Sequence, residues 1–328
     1  MIGTANGHVS ITGLGVCVPE RVVTNDDLAR MVETSDAWIT ERTGIKERRF
    51  ASQEEAMSDL ALPAAQAALA EAGVDAGDLD LVIVATVTPD MMFPTTSAIV
   101  ADALGAHDAA AYDLLAGCTG FMYAIAQAHG MVAAGIANRA LVVGGDVLSK
   151  ILDFEDRSTL VLFGDGAGAV VLERVDDGGF LGFELGADGG GGRHLWLPGS
   201  GSRHFDDPRK FVKMNGPEVF KFATRVMVSS ATKVLDRCGL SVADVDVYVP
   251  HQANIRIIDH AARKLGIPEE RVVVNVDRYG NTSSGSIPLA LADARADGRL
   301  REGALVLMTG MGAGLTWGSA LMRWTEDG

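Results

Sequence analysis

The sequence predicts an α/β fold built from two duplicated halves. Three observations carry that prediction. Strand-like and helix-like runs alternate along the chain, the second half repeats landmarks of the first in order, and the composition suits a large packed core. Hydrophobic residues make up 48% and charged residues 22% of the 328 residues, ordinary globular values. Whole-chain disorder, which needs few apolar residues and high net charge, is excluded.

The elements follow in order. VSITGLGVCVP reads as a strand and TNDDLARMVE as a short capped helix. Ser52 and Glu55 have capping-box spacing ahead of a helix ending near Gly73. DLDLVIVATV is the continuous β-branched run of a strand buried on both faces. A helix near 95–104, a strand near 109–115, an uncharged helix and the strand RALVVGGDV come next. TLVLFGDGAGAVVLERV is expected to form a hairpin-like pair closing the first half.

The repeat has four parts. Gly73, Asp78 and Asp80 recur as Gly239, Asp244 and Asp246, at an offset of 166. Gly117-Cys118-Thr119 recurs as Gly280-Asn281-Thr282, and Ala140-Leu141-Val142 as Ala304-Leu305-Val306. Gly164, Gly166 and Gly168 recur as Gly310, Gly312 and Gly314. The expected halves are 1–178 and 179–328, packed about a pseudo-twofold axis. The Gly-rich stretch GADGGGGRHLWLPGSGSRHFDDP is too long for a simple connection and reads as a functional loop or flap.

The net charge of −15 makes the chain a poor binder of nucleic acid or anionic membrane, so an anionic partner must meet a local basic patch. Leu114 to Asn138 lacks Asp, Glu, Lys and Arg, but its Cys, Thr, Tyr, Gln and His suit a buried helix rather than a lipid-facing span. Three cysteines without CxxC spacing fit free thiols in a reducing compartment, and MIGTANGHVS has no signal-peptide pattern, so a cytoplasmic location is expected.

Cys118 stands in AGCTGF at the head of the uncharged helix. The positive end of a helix lowers a thiol pKa and makes a nucleophile; the plain alternative is a small core residue. Cys17 and Cys238 read as core. His251, in VPHQAN, ends a buried strand, where catalytic groups of open α/β sheets collect. Under the repeat, Asn281 mirrors Cys118 and also opens a helix, so the three groups converge on the axis. Together they suit acyl chemistry, with a thiolate and two donors for an oxyanion. GDGAG and GMGAG are each followed by a strand, which reads as a turn between strands rather than a phosphate loop, although such a turn can lend a backbone N–H to an oxyanion. No metal-ligand spacing is present and no metal is expected.

AGCTGF, VPHQAN, YGNTSSGSIP, GMGAGLTWGSALMRW and SDAWITERTGIKERR together resemble β-ketoacyl-acyl-carrier-protein synthase III over essentially the whole chain. The resemblance implies the thiolase fold, an αβαβα layering of duplicated halves, normally as a homodimer. It implies the first condensation of type II fatty-acid synthesis, joining a short acyl-CoA to malonyl-acyl carrier protein. It places the nucleophile on Cys118, the other catalytic groups on His251 and Asn281, and the oxyanion donors on the backbone N–H groups of Cys118 and Ala313. Coenzyme A, a substrate portion rather than a resident cofactor, matches Trp38 and Arg157 at the adenine. Along its phosphates and pantetheine it matches Arg42, Thr34, Met214, Gly216, Phe220, Ala253 and Asn254. Phe93 matches the residue that lines the partner subunit's primer pocket. Ala313 departs from the family, where many members carry a third consecutive glycine; a positive φ there would strain it.

Acyl carrier protein is acidic, so a basic patch is expected among Lys213, Lys221, Arg225, Arg256 and Arg263, with Lys221 and Arg256 foremost. Two other readings stay open: a related acyltransferase of secondary metabolism with another acceptor, and a non-catalytic acyl- or CoA-binding protein. A chalcone-synthase-like enzyme fits the short chain less well. The primer's length and branching depend on packing and are not legible.

Overall fold

A computed structural model describes residues 8–199, 201–204, 206, 208 and 210–325. The chain runs β1 (His8–Cys17), β2 (Val22–Thr24), α1 (Asn25–Ala29), α2 (Asp36–Thr43), β3 (Glu47–Arg49), α3 (Met57–Ala72), β4 (Leu81–Ala85), α4 (Thr96–Leu104), β5 (Ala110–Leu114), α5 (Gly120–Ala133), β6 (Ala140–Asp146), α6 (Arg157–Leu160) and β7 (Gly166–Val175). It continues with β8 (Gly179–Ala187), β9 (Leu195–Trp196), β10 (Lys213–Met214), α7 (Gly216–Cys238), β11 (Val247–Pro250), α8 (Ile255–Leu265), α9 (Val276–Tyr279), α10 (Ser286–Ala296), β12 (Leu305–Gly312) and β13 (Thr316–Arg323).

Two sheets dominate. The first has the order β1-β7-β6-β4-β5 and the second β11-β12-β13-β8. β4 is parallel to β5 and β6, while β6-β7 and β7-β1 are antiparallel. The second sheet repeats this: β11-β12 is parallel, β12-β13 and β13-β8 are antiparallel, and a parallel bridge from Tyr248 to Val272 stands where β5 does in the first. The strands of β4, β6 and β11 are fully buried, as their unbroken apolar runs require.

The layers run helix, sheet, helix, sheet, helix, the order expected from the resemblance. α3 and α4 cover the outer face of the first sheet, and α7 that of the second, with α8 packed beside α7. α5 and α10 lie between the sheets, α5 touching β4, β6 and also β8, β13. The apolar core divides accordingly. One cluster lies under α3, one under α7, and one holds Phe121, Ile125, Ile287 and Leu291 of the two central helices. α5 can sit there because it carries no ionised side chain to desolvate.

Several sequence expectations need correcting. Ser52 and Glu55 do exchange hydrogen bonds, but the helix begins at Met57, so the box closes a preceding turn. TLVLF is not a strand: Thr159 and Leu160 end α6, and β7 pairs with β6 and β1. GDGAG therefore leads from a loop into β7, whereas GMGAG does form the turn between β12 and β13.

Three of the four repeat matches are also out of register. Leu81 pairs with Ala140 and Val247 with Val306, so the offset of 166 continues into β12 and Ala140 corresponds to Val306. Gly144 faces Gly168 as Gly310 faces Gly318, so Gly310 mirrors Gly144 rather than Gly164. The 3-10 turn Gly117–Thr119 before α5 corresponds to Ser283–Gly285 before α10, which makes Ser284 the counterpart of Cys118 and leaves Asn281 just upstream. Identity of small residues had aligned these segments; ladder hydrogen bonds fix the register. The Gly-rich stretch 186–208 lies partly outside the described residues; within it, Gly189–His194 forms a 3-10 segment before β9.

Candidate active site

A cleft of about 1020 Å³ opens between the halves, lined by Cys118, His251 and Asn281 together with Trp38, Arg42, Met214, Gly216, Phe220, Ala253, Asn254 and Arg256. Each reactive group arrives on its own element. Cys118 sits in the 3-10 turn ahead of α5, His251 directly follows β11, and Asn281 lies between α9 and the turn before α10.

The Cys118 turn is pressed against the β12-β13 turn. Gly117 has φ +58°, and a Cβ there would lie 2.7 Å from the Ala313 nitrogen. A Cβ on Gly312 would lie 2.5 Å from the Cys118 nitrogen. Only glycine permits both the left-handed φ and this approach. As a result, the backbone N–H groups of Cys118 and Ala313 both reach the thiol and pull its pKa down. Ala313 does not have positive φ; among the described non-glycine residues only Ser283 does. The alanine is therefore unstrained, and the left-handed requirement falls on Gly314.

Burial, however, dominates the thiol. It pushes the Cys118 pKa up to about 11, with the buried Asp146 carboxylate adding to the rise. This reverses the expectation of a thiol made acidic by its helix: desolvation of the anion outweighs the helix end and the two N–H groups. The Ser283 hydroxyl faces Cys118 and Asp146 and pulls both pKa values back, although it lies outside good hydrogen-bonding geometry to either.

His251 is likewise held neutral. Burial pulls its pKa down to about 4. Its Nδ1 lies 2.5 Å from Ser286 Oγ, and its Nε2 is buried without a partner. Asn281 is fixed at both ends: its N–H donates to Leu162 O, its carbonyl accepts from Gly164, and its side-chain Oδ1 accepts from Ser283 N–H. With Oδ1 engaged, the amide Nδ2 is the end left for a ligand.

Toward the mouth, the Arg42 and Arg157 guanidinium groups pack on the Trp38 ring at 4.5 and 4.8 Å. Arg157 also donates to Glu33 O and does not itself line the cleft. Thr34 lies off the cleft, with its buried hydroxyl unpartnered. Asn254 caps α8 and donates to Arg42 O, tying two stretches of cleft wall together. Arg256 lines the cleft and packs over Phe220 at 5.6 Å. Lys221 is exposed outside it, Lys213 is ion-paired with Asp153, and Arg225 packs over Phe222. Phe93 is 84% exposed and far from lining its own chain's cleft. Among the described residues no group of three or more His, Cys, Asp or Glu converges as a metal site.

Sequence reading missed Ser283, Ser286, Met311 and Asp146. Asp146 had one available signal, its position at the end of a buried strand.

Family models for 3-oxoacyl-[acyl-carrier-protein] synthase III match residues 112–189, and for its C-terminal part residues 235–324. The β-ketoacyl-[acyl-carrier-protein] synthase III of Symbiobacterium thermophilum is 55% identical, over 96% of this chain and 98% of its own. That of Desulfitobacterium hafniense is 53% identical, over 98% and 99%. The crystal structure of the Thermus thermophilus synthase III superposes with a TM-score of 0.92 at 51% identity, covering 97% of this chain and 99% of that one.

Proposed function

The chain belongs to the β-ketoacyl-acyl-carrier-protein synthase III family, and on that premise we propose how its own residues perform the family's condensation. The enzyme is an acyltransferase of fatty-acid synthesis. Its substrates in this reading are a short acyl-CoA and malonyl-acyl carrier protein, with no resident cofactor. The observation that carries the reading is the unpartnered Nε2 of His251, buried in a cleft that Cys118 and Asn281 also line.

Cys118 attacks the acyl-CoA thioester. The tetrahedral oxyanion takes the N–H groups of Cys118 and Ala313, both near enough to the thiol to lower its pKa. Coenzyme A departs as the thiol, carrying the proton Cys118 gave up. Malonyl-carrier protein then enters the same cleft and loses CO2. The enolate oxygen is held by His251 Nε2 and Asn281 Nδ2, and the enolate carbon attacks the acyl-enzyme, expelling Cys118 as a thiolate that takes up one proton from solvent to regenerate the thiol. The kinetics are ping-pong. A buried thiol that resists ionisation suits this order, because charge appears on sulfur only when a thioester is present to receive it.

Trp38, Arg42, Arg157, Thr34, Met214, Gly216, Phe220, Ala253 and Asn254 form the coenzyme A path in this reading, and Lys221 and Arg256 meet the carrier protein. We assign 1–178 and 179–328 as the two halves; the first sheet's strands end at Val175 and the second's begin at Gly179. A homodimer is supported by the exposed Met92 and Phe93 and by Leu115 at the end of the edge strand β5, at 73%, 84% and 76% exposure. Among the described residues no helix is long and apolar enough to cross a membrane; the three free cysteines support a cytoplasmic setting.

A panel of acyl-CoAs of graded length, with malonyl-carrier protein as acceptor, tests the reading through coenzyme A release, CO2 and β-ketoacyl product. Turnover with at least one primer is expected. Acylation of Cys118 without condensation would point to another acceptor, and absence of acylation would reject the reading.

A further inference from the structure

His251 Nδ1 and Ser286 Oγ are 2.5 Å apart, and both residues are buried. A neutral imidazole carries one N–H, so this contact has two arrangements. Either Nδ1–H donates to the hydroxyl and Nε2 is a bare base, or the hydroxyl donates to Nδ1 and Nε2 carries the proton. The surroundings choose between them. Ser286 Oγ accepts a hydrogen bond from the Gln252 N–H at 3.3 Å, and among the described residues it has no acceptor for its own hydrogen except His251 Nδ1. In the first arrangement the buried hydroxyl hydrogen would be left without an acceptor, which folded proteins avoid. In the second, the hydroxyl both donates and accepts, Nδ1 accepts, and the one group left over is an Nε2–H in the cleft. The hydrogen bond on one ring nitrogen thereby sets the state of the other.

We propose that Ser286 is a positioning residue whose hydroxyl donates to Nδ1 of His251, fixing the Nε2–H tautomer as a hydrogen-bond donor to the enolate oxygen rather than a base for Cys118. The proposal rests on the enolate-binding role of His251 given above. The placement is rigid: Ser286 opens α10, whose next residues Ile287, Leu289 and Ala290 are buried, and His251 N–H donates to Thr309 O of β12. Ring and hydroxyl are thus held by two elements of the same half, which favours a preorganised donor. Ser286 touches no substrate in this arrangement and acts through the ring alone.

Nitrogen-15 spectra of the full-length enzyme labelled in histidine test it, with the His251 signals assigned by their loss in His251→Asn. The wild type is expected to show a protonated Nε2 and a bare Nδ1. Ser286→Ala should mix the tautomers. It should also slow decarboxylation of malonyl-carrier protein by about 10- to 100-fold, less than the 10²–10³ expected for deleting a donor outright, while acylation of Cys118 by acyl-CoA is largely retained. Ser286→Thr keeps the hydroxyl and should restore both tautomer and rate. A wild-type proton on Nδ1 overturns the proposal, even if Ser286→Ala does not fold; so does Ser286→Ala with unchanged tautomer and decarboxylation. A wild-type enzyme with Nε2–H that neither acylates nor decarboxylates would reject the functional reading and leave the tautomer assignment standing.

Discussion

Cys118 and His251 are both kept neutral by burial, and their titrations should show it. With the thiol pKa raised to about 11, the thiolate fraction keeps growing with pH where an ordinary cysteine has saturated. Alkylation of the free enzyme at Cys118 should therefore rise about tenfold per pH unit from 7 through 10; a plateau by pH 9 would contradict the burial argument. His251 has its folded pKa depressed to about 4, against about 6.5 unfolded. The unfolded chain binds that proton first, so the contribution is fully present above pH 6.5 and is lost as pH falls toward 4. The loss is about 3 kcal/mol, and urea unfolding of His251→Asn should show a correspondingly flatter acid limb. In catalysis the roles separate. Cys118→Ala should lose acyl transfer yet still decarboxylate malonyl-carrier protein. Asn281→Ala should still be acylated but lose about 10²–10³ in decarboxylation, or roughly 2.7–4 kcal/mol. Wild-type CO2 release from Asn281→Ala would return that side chain to a purely structural role.

Asp146, at the end of β6, joins elements from both halves. Its carboxylate accepts from the Thr86 and Thr88 hydroxyls and Val87 N–H of the first half, and from Ser284 N–H and Oγ of the second. These donors tie the turn before α10 to the segment 86–88 that follows β4, and the turn before α10 packs against the turn before α5. All of its partners donate, so an amide in place of one oxygen would turn an N–H toward donors. Asp146→Asn should cost about 2–4 kcal/mol in denaturant unfolding and slow both half-reactions, because both turns shift. At the partner turn, Gly117→Ala would add a Cβ 2.7 Å from the Ala313 nitrogen at φ +58°. It should lower acylation more than it lowers coenzyme A binding, since only the oxyanion donors move.

Across the whole molecule the charge is −15, so an acidic carrier protein must approach through a local exception. Reversal of Lys221 and Arg256 to Glu should raise KM for malonyl-carrier protein and leave Cys118 acylation intact, with an effect that fades in salt. Equal loss of both half-reactions would argue against the docking role, especially for Arg256, which lines the cleft. Met92→Glu should weaken self-association, measured by sedimentation, and reduce condensation if Phe93 completes the partner's primer pocket.

The alternation of strands and helices, the duplication, the uncharged central helix and the three residues that meet in the cleft, Cys118, His251 and Asn281, were all legible in the sequence. Hydrophobic periodicity and small-residue motifs are local properties, and the motifs stand in the family's order along the whole chain. Tertiary structure decided what depends on distant partners. The repeat register follows from ladder pairing, so Ser284 rather than Asn281 mirrors Cys118. The thiol pKa rises because packing removes water from Cys118, a cost that helix position alone does not reveal. Ser286 and Asp146 bond to residues 35 and 138 positions away. A serine or aspartate signals such a bond only when the fold has brought its partner within reach.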